Sequence, residues 1–127
     1  MKQIILDYKK DPELFNETAR EWATKICGRN DKCEVKSTQL RNFYDKVLEL
    51  YDRSEIKKEP FEEVLPFVKM LNSKVEYASH RKSEGKPLIN KAFAEMMGQC
   101  ISQVDSPEKL RVFKLFFEAV IGFYKGK

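Results

Sequence analysis

Apolar side chains recur every three or four residues along most of this chain, the period of amphipathic helices. Short breaks separate the helical stretches, and no repeat or low-complexity segment interrupts them. The first helix opens with Asp11 as N-cap and Pro12 at the first helical position, where a missing N–H costs nothing. It carries Leu14, Phe15, Ala19, Trp22, Ala23 and Ile26 on one face, turns Glu13, Glu17, Arg20 and Lys25 outward, and stops near Gly28. A second helix, capped by Ser37 or Thr38, presents Leu40, Phe43, Tyr44, Val47, Leu50 and Tyr51 and ends near Arg53-Ser54.

The third helix begins around Glu59-Pro60-Phe61 and runs to about Lys82, with Val64, Phe67, Val68, Leu71, Val75 and Ala78 as its core stripe. Pro66 demands a first-turn position or a kink. Residues 83–87 form a loop broken by Gly85 and Pro87, and Pro87 starts a fourth helix carrying Leu88, Ile89, Ala92, Phe93, Met96, Met97, Cys100, Ile101 and Val104. Asp105-Ser106-Pro107-Glu108 marks the sharpest boundary: Ser106 caps, Pro107 suits the first turn, and Glu108 complements the helix dipole. The fifth helix then reaches about Tyr124.

That last helix is apolar around most of its circumference. Leu110, Phe113, Phe117, Val120, Ile121 and Tyr124 make one arc, and Val112, Leu115, Phe116, Ala119 and Phe123 a second. Only Arg111, Lys114, Glu118 and Lys125 form a polar stripe. Such a helix is either central in a bundle or packed on one side by another chain. The expected fold is all-α, a compact bundle of about five helices.

With 127 residues and 15.0 kDa, the chain fits one domain over residues 1–127, large enough to bury a core without the help of a metal or a disulfide. Residues 1–10, with Ile4-Ile5-Leu6, are open to a short strand, a helix extension or a flexible or docking arm. No apolar run is long enough to span a membrane, and Met1-Lys2-Gln3-Ile4-Ile5-Leu6-Asp7 lacks the features of a signal peptide, so the expected location is the cytoplasm. Cys27, Cys33 and Cys100 match neither C-x-x-C nor a zinc spacing, and are expected to be reduced and structural.

Twenty-four Lys and Arg against twenty Asp and Glu give a net charge of +4, a mild bias toward anionic partners. Over residues 1–28, 29–60, 61–86 and 87–127 the excess of basic groups is 0, 1, 1 and 2, so an anion site has to be assembled by folding. Phosphate-loop, dinucleotide-fold, nucleophile-elbow and zinc-protease motifs are all absent from the sequence. His80 has no neighbouring metal ligand or nucleophile and suits a solvent-facing helix end. Glu62-Glu63 suit a helix N-terminal turn. Neither a catalytic site, a metal nor a cofactor is expected.

Cationic and aromatic side chains border the core stripes. On the third helix Met70, Lys74, Tyr77 and Arg81 fall within an arc of about 60°, a line roughly 16 Å long. Such a line can touch successive phosphates while Tyr77 stacks or packs beneath, and Lys82 and Lys86 follow it. The plainer alternative is a solvated face on which Lys and Arg snorkel. At the start of the second helix, Ser37-Thr38-Gln39-Leu40-Arg41 brings free N–H groups, a hydroxyl, an amide and a guanidinium near one anion, with a simple N-cap as the alternative. Lys46, about 240° from Leu40, points away from that stripe and joins such a patch only through a neighbouring molecule.

Thr38-Gln39-Leu40-Arg41-Asn42-Phe43-Tyr44-Asp45-Lys46-Val47, Leu65-Pro66-Phe67-Val68-Lys69-Met70-Leu71, Tyr77-Ala78 with Arg81, and Phe113-Lys114-Leu115-Phe116-Phe117-Glu118-Ala119-Val120 occur in this order. Over residues 37–124 the chain resembles the small helical subunit of type III-A CRISPR (Csm) effector complexes. The resemblance implies a non-catalytic protein stacked in several copies inside a ribonucleoprotein, beside the backbone filament subunits and touching the large signalling subunit at one end. It would support the guide RNA and target RNA through their phosphate backbones, without sequence specificity. The nucleic-acid role would carry over to Gln39, Arg41 and Arg81, with Lys69, Lys74 and Lys86 as extensions from geometry. Phe116-Phe117-Glu118-Ala119 reads as core, and Asp45 and Asp52 argue against the whole outer face of the second helix meeting RNA. A reading from another class is a helical protein–protein adaptor or homo-oligomer that uses the two-sided fifth helix and binds no RNA.

Overall fold

The computed structural model describes residues 3–28, 32–83 and 85–125. The first helix opens as a single π turn, Leu14–Thr18, and continues as α1, Ala19–Cys27. The other helices are α2, Ser37–Glu55; α3, Phe61–His80; α4, Lys91–Gln103; and α5, Pro107–Phe123. Two-residue strands β1, Lys82–Ser83, and β2, Lys86–Pro87, pair antiparallel between α3 and α4. The chain is all-α, as expected.

Successive helices run in opposite directions. One end of the bundle holds the α2–α3 and α4–α5 connections; the other holds the α1–α2 connection and the β1–β2 hairpin. At this second end the Tyr124 hydroxyl donates to the Val35 carbonyl at 2.5 Å, and Asn90 Nδ2 donates to the Ile26 carbonyl at 2.8 Å. The end of α5 is thereby tied to the approach to α2, and the start of α4 to the end of α1.

Helix α5 is the central element, packed by α1, α2, α4 and the π turn. Leu110, Val112, Phe113, Phe116, Phe117 and Val120 are buried. Of its second apolar arc, Val112 and Phe116 are covered by the chain's own helices, while Leu115, Ala119 and Phe123 are half exposed. Ring contacts organise the centre: Phe117 lies 5.7 Å from Tyr44 and 6.0 Å from Phe93, and Phe43 lies 5.2 Å from Phe93. Helix α3 stays on the outside, packed chiefly on α4 and α2.

The caps behave unevenly. Ser106 Oγ accepts from the Lys109 N–H at 3.2 Å with Pro107 beside it, as its sequence demands. Asp11, itself buried, accepts from the Glu13 N–H at 3.1 Å and the Thr18 hydroxyl at 2.8 Å. Neither Ser37 nor Thr38 caps α2: Lys36 holds the N-cap position without a side-chain bond. Pro87 does not start the fourth helix either. It sits in β2, Leu88 N–H bonds back to the Arg81 carbonyl at 3.0 Å, and Asn90 Oδ1 accepts from Phe93 N–H at 3.0 Å to cap α4.

Residues 4–6 are extended, with Ile4 and Leu6 buried and Ile5 outward. Glutamine side chains of α4 stand in for a partner strand. Ile4 N–H donates to Gln99 Oε1 and Leu6 N–H to Gln103 Oε1, while Gln103 Nε2 and Lys109 Nζ donate to the Ile4 and Leu6 carbonyls, each at 2.8 Å. The segment is strapped onto its own bundle, so its backbone polar groups are satisfied away from any sheet.

Two expectations are corrected here. Cys27 and Cys33 are joined in a disulfide, with Cα atoms 4.1 Å apart, and only Cys100 is free, buried among apolar neighbours that push its thiol up. The turn explains it: Gly28 adopts φ 89°, where a Cβ would collide with the Glu34 carboxylate, and Glu34 N–H returns to the Cys27 carbonyl at 2.9 Å. Phe67 is not core but 44% exposed, lying on the outer helix α3 with the Arg53 guanidinium over its ring.

Candidate nucleic-acid interface

The α2–α3 hairpin has a register that can be read from one contact. Arg53 Cζ lies 4.9 Å from the Phe67 ring centroid. Seven residues advance a helix about 10.5 Å and rotate it by only about −20°. Along antiparallel helices, steps of seven from this pair therefore bring Lys46 level with Lys74, and then Gln39 level with Arg81. Each row, Gln39-Lys46-Arg53 and Phe67-Lys74-Arg81, stays within an arc of about 40°. This projection turns Lys46 toward the α3 side of α2, away from the Leu40 stripe as expected, and beside the line on α3.

Charge along the strip is uneven. Arg53 is absorbed by Glu59, whose carboxylate it holds with contacts of 2.9–3.2 Å, and the charges of Glu49 and Glu63 act on it as well. The Glu59 hydrogen bond chiefly raises the guanidinium, and Arg53 in turn lowers the Glu59 carboxyl. At the other end, Lys46, Lys74, Arg81, Lys82 and Lys86 are exposed and form no ion pair with another described residue. Strand pairing sets Lys82 opposite Pro87 and Ser83 opposite Lys86, which folds Lys86 back toward Arg81 and Lys82.

Arg81 Nη1 donates to the Tyr77 hydroxyl at 2.5 Å, and its Cζ is 5.7 Å from the ring centroid. The guanidinium is therefore held near the hydroxyl end of the ring. Tyr77 is 62% exposed. Ser73, Glu76, Tyr77, His80 and Arg81 line a shallow, open depression of about 430 Å³.

Of the six residues expected from sequence, Gln39, Lys74, Arg81 and Lys86 are gathered on this side of the molecule. Arg41 is exposed on the opposite edge of α2, toward α5, where its charge acts on Tyr44, a phenol raised chiefly by burial and then by Glu118. Lys69 turns inward: its Nζ donates to the Ile101 carbonyl at 2.7 Å and satisfies the end of α4. Sequence reasoning missed Lys46, whose signal was its heptad spacing from Gln39 and Arg53, mirrored by Phe67, Lys74 and Arg81. Among the described residues there is no group of three metal-ligating side chains, and no helix is long and apolar enough to cross a membrane.

No curated protein and no solved structure matches the chain. A family model described as Csm2 Type III-A matches residues 9–127, reaching back across the first helix beyond the stretch whose residues carried the resemblance. The chain belongs to the Csm2 family of type III-A CRISPR systems.

Proposed function

We propose that this type III-A CRISPR complex subunit supports RNA through the strip of Lys46, Lys74, Arg81, Lys82 and Lys86, with Gln39 at its end. The observation that supports this reading is that Lys46, Lys74, Arg81, Lys82 and Lys86 are all exposed with no described carboxylate paired to any of them, and the heptad projection from the Arg53–Phe67 contact sets Lys46 and Lys74 on facing sides of α2 and α3. Like charges held side by side repel, and an anion laid between them removes that cost. Phosphates fit because the cations are spread along a line rather than around a cavity, so the backbone is contacted and sequence is not read through it. Arg41 supplies a separate phosphate contact on the far edge of α2.

The subunit contributes no chemistry of its own; cleavage and signalling belong to other members of the complex. It stacks in several copies beside the backbone filament subunits and meets the large signalling subunit at one end of the row. Few phosphates are available per copy, so useful affinity comes from repetition in the assembly. Contacts between subunits fall to the apolar groups left outside at the opposite end, above all Ile56 on the α2–α3 connection, 71% exposed.

The adaptor reading has less support, since Leu110, Val112, Phe113, Phe116, Phe117 and Val120 of α5 are buried within the chain's own bundle. Purification of the tagged protein expressed with its native neighbours tests the proposal. Discrete short RNAs and several larger subunits should co-purify; a lone homo-oligomer or a single protein partner free of RNA would overturn it.

A further inference from the structure

Tyr77 stands apart from the other aromatic side chains. Phe67, Tyr51, Trp22 and Phe123 each lie beside a cation, and Tyr8 lies 6.0 Å from Phe15. Tyr77 also has a cation, Arg81, which donates to its hydroxyl, but with 62% of its surface exposed, against 44% for Phe67 and 37% for Tyr8, it is far more open to a ligand than they are. An exposed flat ring beside unpaired cations is a stacking platform for a base whose phosphate those cations hold.

The floor of the depression bears on which base. Glu76 lines it with Tyr77 and His80, and Glu76 has no ion pair with a described residue. A carboxylate on a phosphate-binding surface repels the ligand unless it accepts hydrogen bonds from it. The exocyclic amine of cytosine, adenine or guanine supplies such donors, as carboxylates accept from cytosine N4 in base readout. Uracil has no exocyclic amine.

The geometry points to a site for one unpaired, amine-bearing nucleobase at the end of α3, stacked on Tyr77, accepted at its amine edge by Glu76, with its phosphate toward Arg81 and Lys74. This deepens the RNA reading of the same surface and rests on it. The site selects single-stranded or splayed-out nucleotides, because bases inside a duplex have no free face to stack. It adds a local preference to a surface that otherwise reads only phosphates.

Titration of the full-length protein by NMR with cytidine monophosphate, uridine monophosphate and ribose 5-phosphate tests it. All three carry the phosphate, only two carry a base, and only one an exocyclic amine. Cytidine monophosphate should shift the Tyr77 ring protons upfield together with the amides of Ser73, Glu76 and His80, and bind about fivefold or more tightly than ribose 5-phosphate. Tyr77→Phe should keep that advantage and Tyr77→Ala lose it, while Glu76→Gln should level cytidine with uridine. Both exposed positions leave the core untouched, and unchanged spectra elsewhere verify the fold.

Equal effects of cytidine monophosphate and ribose 5-phosphate would overturn the base site and leave phosphate binding standing. An equal response to the cytidine and uridine nucleotides in the wild type would overturn the part played by Glu76. No response of α3 to any of the three would overturn the base site, while the phosphate strip stands or falls by the salt dependence of binding to longer RNA.

Discussion

The guanidinium of Arg53 sits 4.9 Å from the centre of the Phe67 ring while Glu59, six residues further on, grips it with two carboxylate oxygens. One side chain thereby closes the α2–α3 connection and sets the level at which the two helices face each other. The folded-state pKa of Glu59 is depressed by this partner, so the stabilisation is present above the unfolded value near 4.5 and lost as pH falls through the folded one. Thermal denaturation of wild type and Glu59→Gln should show a gap in Tm at pH 7 that narrows below about pH 4.5. A gap independent of pH would remove the ion pair from this role.

Tyr124 gives the alkaline counterpart. Burial pushes its phenol up to about 12 while its hydroxyl donates to the Val35 carbonyl. A raised folded-state value means stabilisation that is full below about pH 10 and fades as pH climbs toward 12. Tyr124→Phe should cost about 1 kcal/mol near neutrality. Its stability should also fall less steeply than wild type above pH 10, as read by urea denaturation across that interval.

Phe117 is buried where α5 meets α2 and α4, with Tyr44, Phe93 and Phe113 rings within 6.3 Å. Truncation leaves a cavity that three neighbouring rings cannot all collapse into. Phe117→Ala should therefore cost about 3–5 kcal/mol in chemical denaturation. Leu115→Ala, on the same helix but only half buried, should cost less.

The Cys27–Cys33 bond closes a short loop between α1 and α2. By the loop-entropy account it contributes about 2 kcal/mol. Dithiothreitol should lower the denaturation midpoint of the wild type and leave a Cys27→Ser, Cys33→Ser double variant unmoved. Equal sensitivity of the two proteins would show that the bond contributes nothing in solution.

The legible parts of this fold are those in which local chemistry and burial agree. Ser106-Pro107 announces α5 because a hydroxyl cap and a missing N–H both suit a helix start, and the structure uses both. Pro87 satisfies the same rule on paper, yet Asn90 holds the cap of α4 because the β1–β2 hairpin claims Pro87 first. Phe67 has the spacing of a core residue, but spacing cannot reveal that α3 lies on the outside of the bundle, where the Arg53 guanidinium lies over the ring. The disulfide escaped because a Gly28 turn, rather than a recognisable spacing, brings the two thiols together.

The candidate strip was half visible for a similar reason. Lys74, Tyr77 and Arg81 share one helix and their angular agreement follows from the sequence alone. Lys46 belongs to another helix, so its place depends on the hairpin register, and Lys69 looks identical to its neighbours until the Ile101 carbonyl is brought within reach. A one-helix projection sees a line; the functional surface needs two.

The most direct test of the strip is the salt dependence of RNA binding by the full-length protein and its Lys74→Ala, Arg81→Ala, Lys86→Ala triple variant. Each phosphate contact to a single strand contributes about 0.7 to the log–log slope, so losing three should flatten it by roughly 2. Lys69→Ala, which removes a charge already engaged within the fold, should leave the slope unchanged. A triple variant with the wild-type slope would contradict the assignment of RNA to this face.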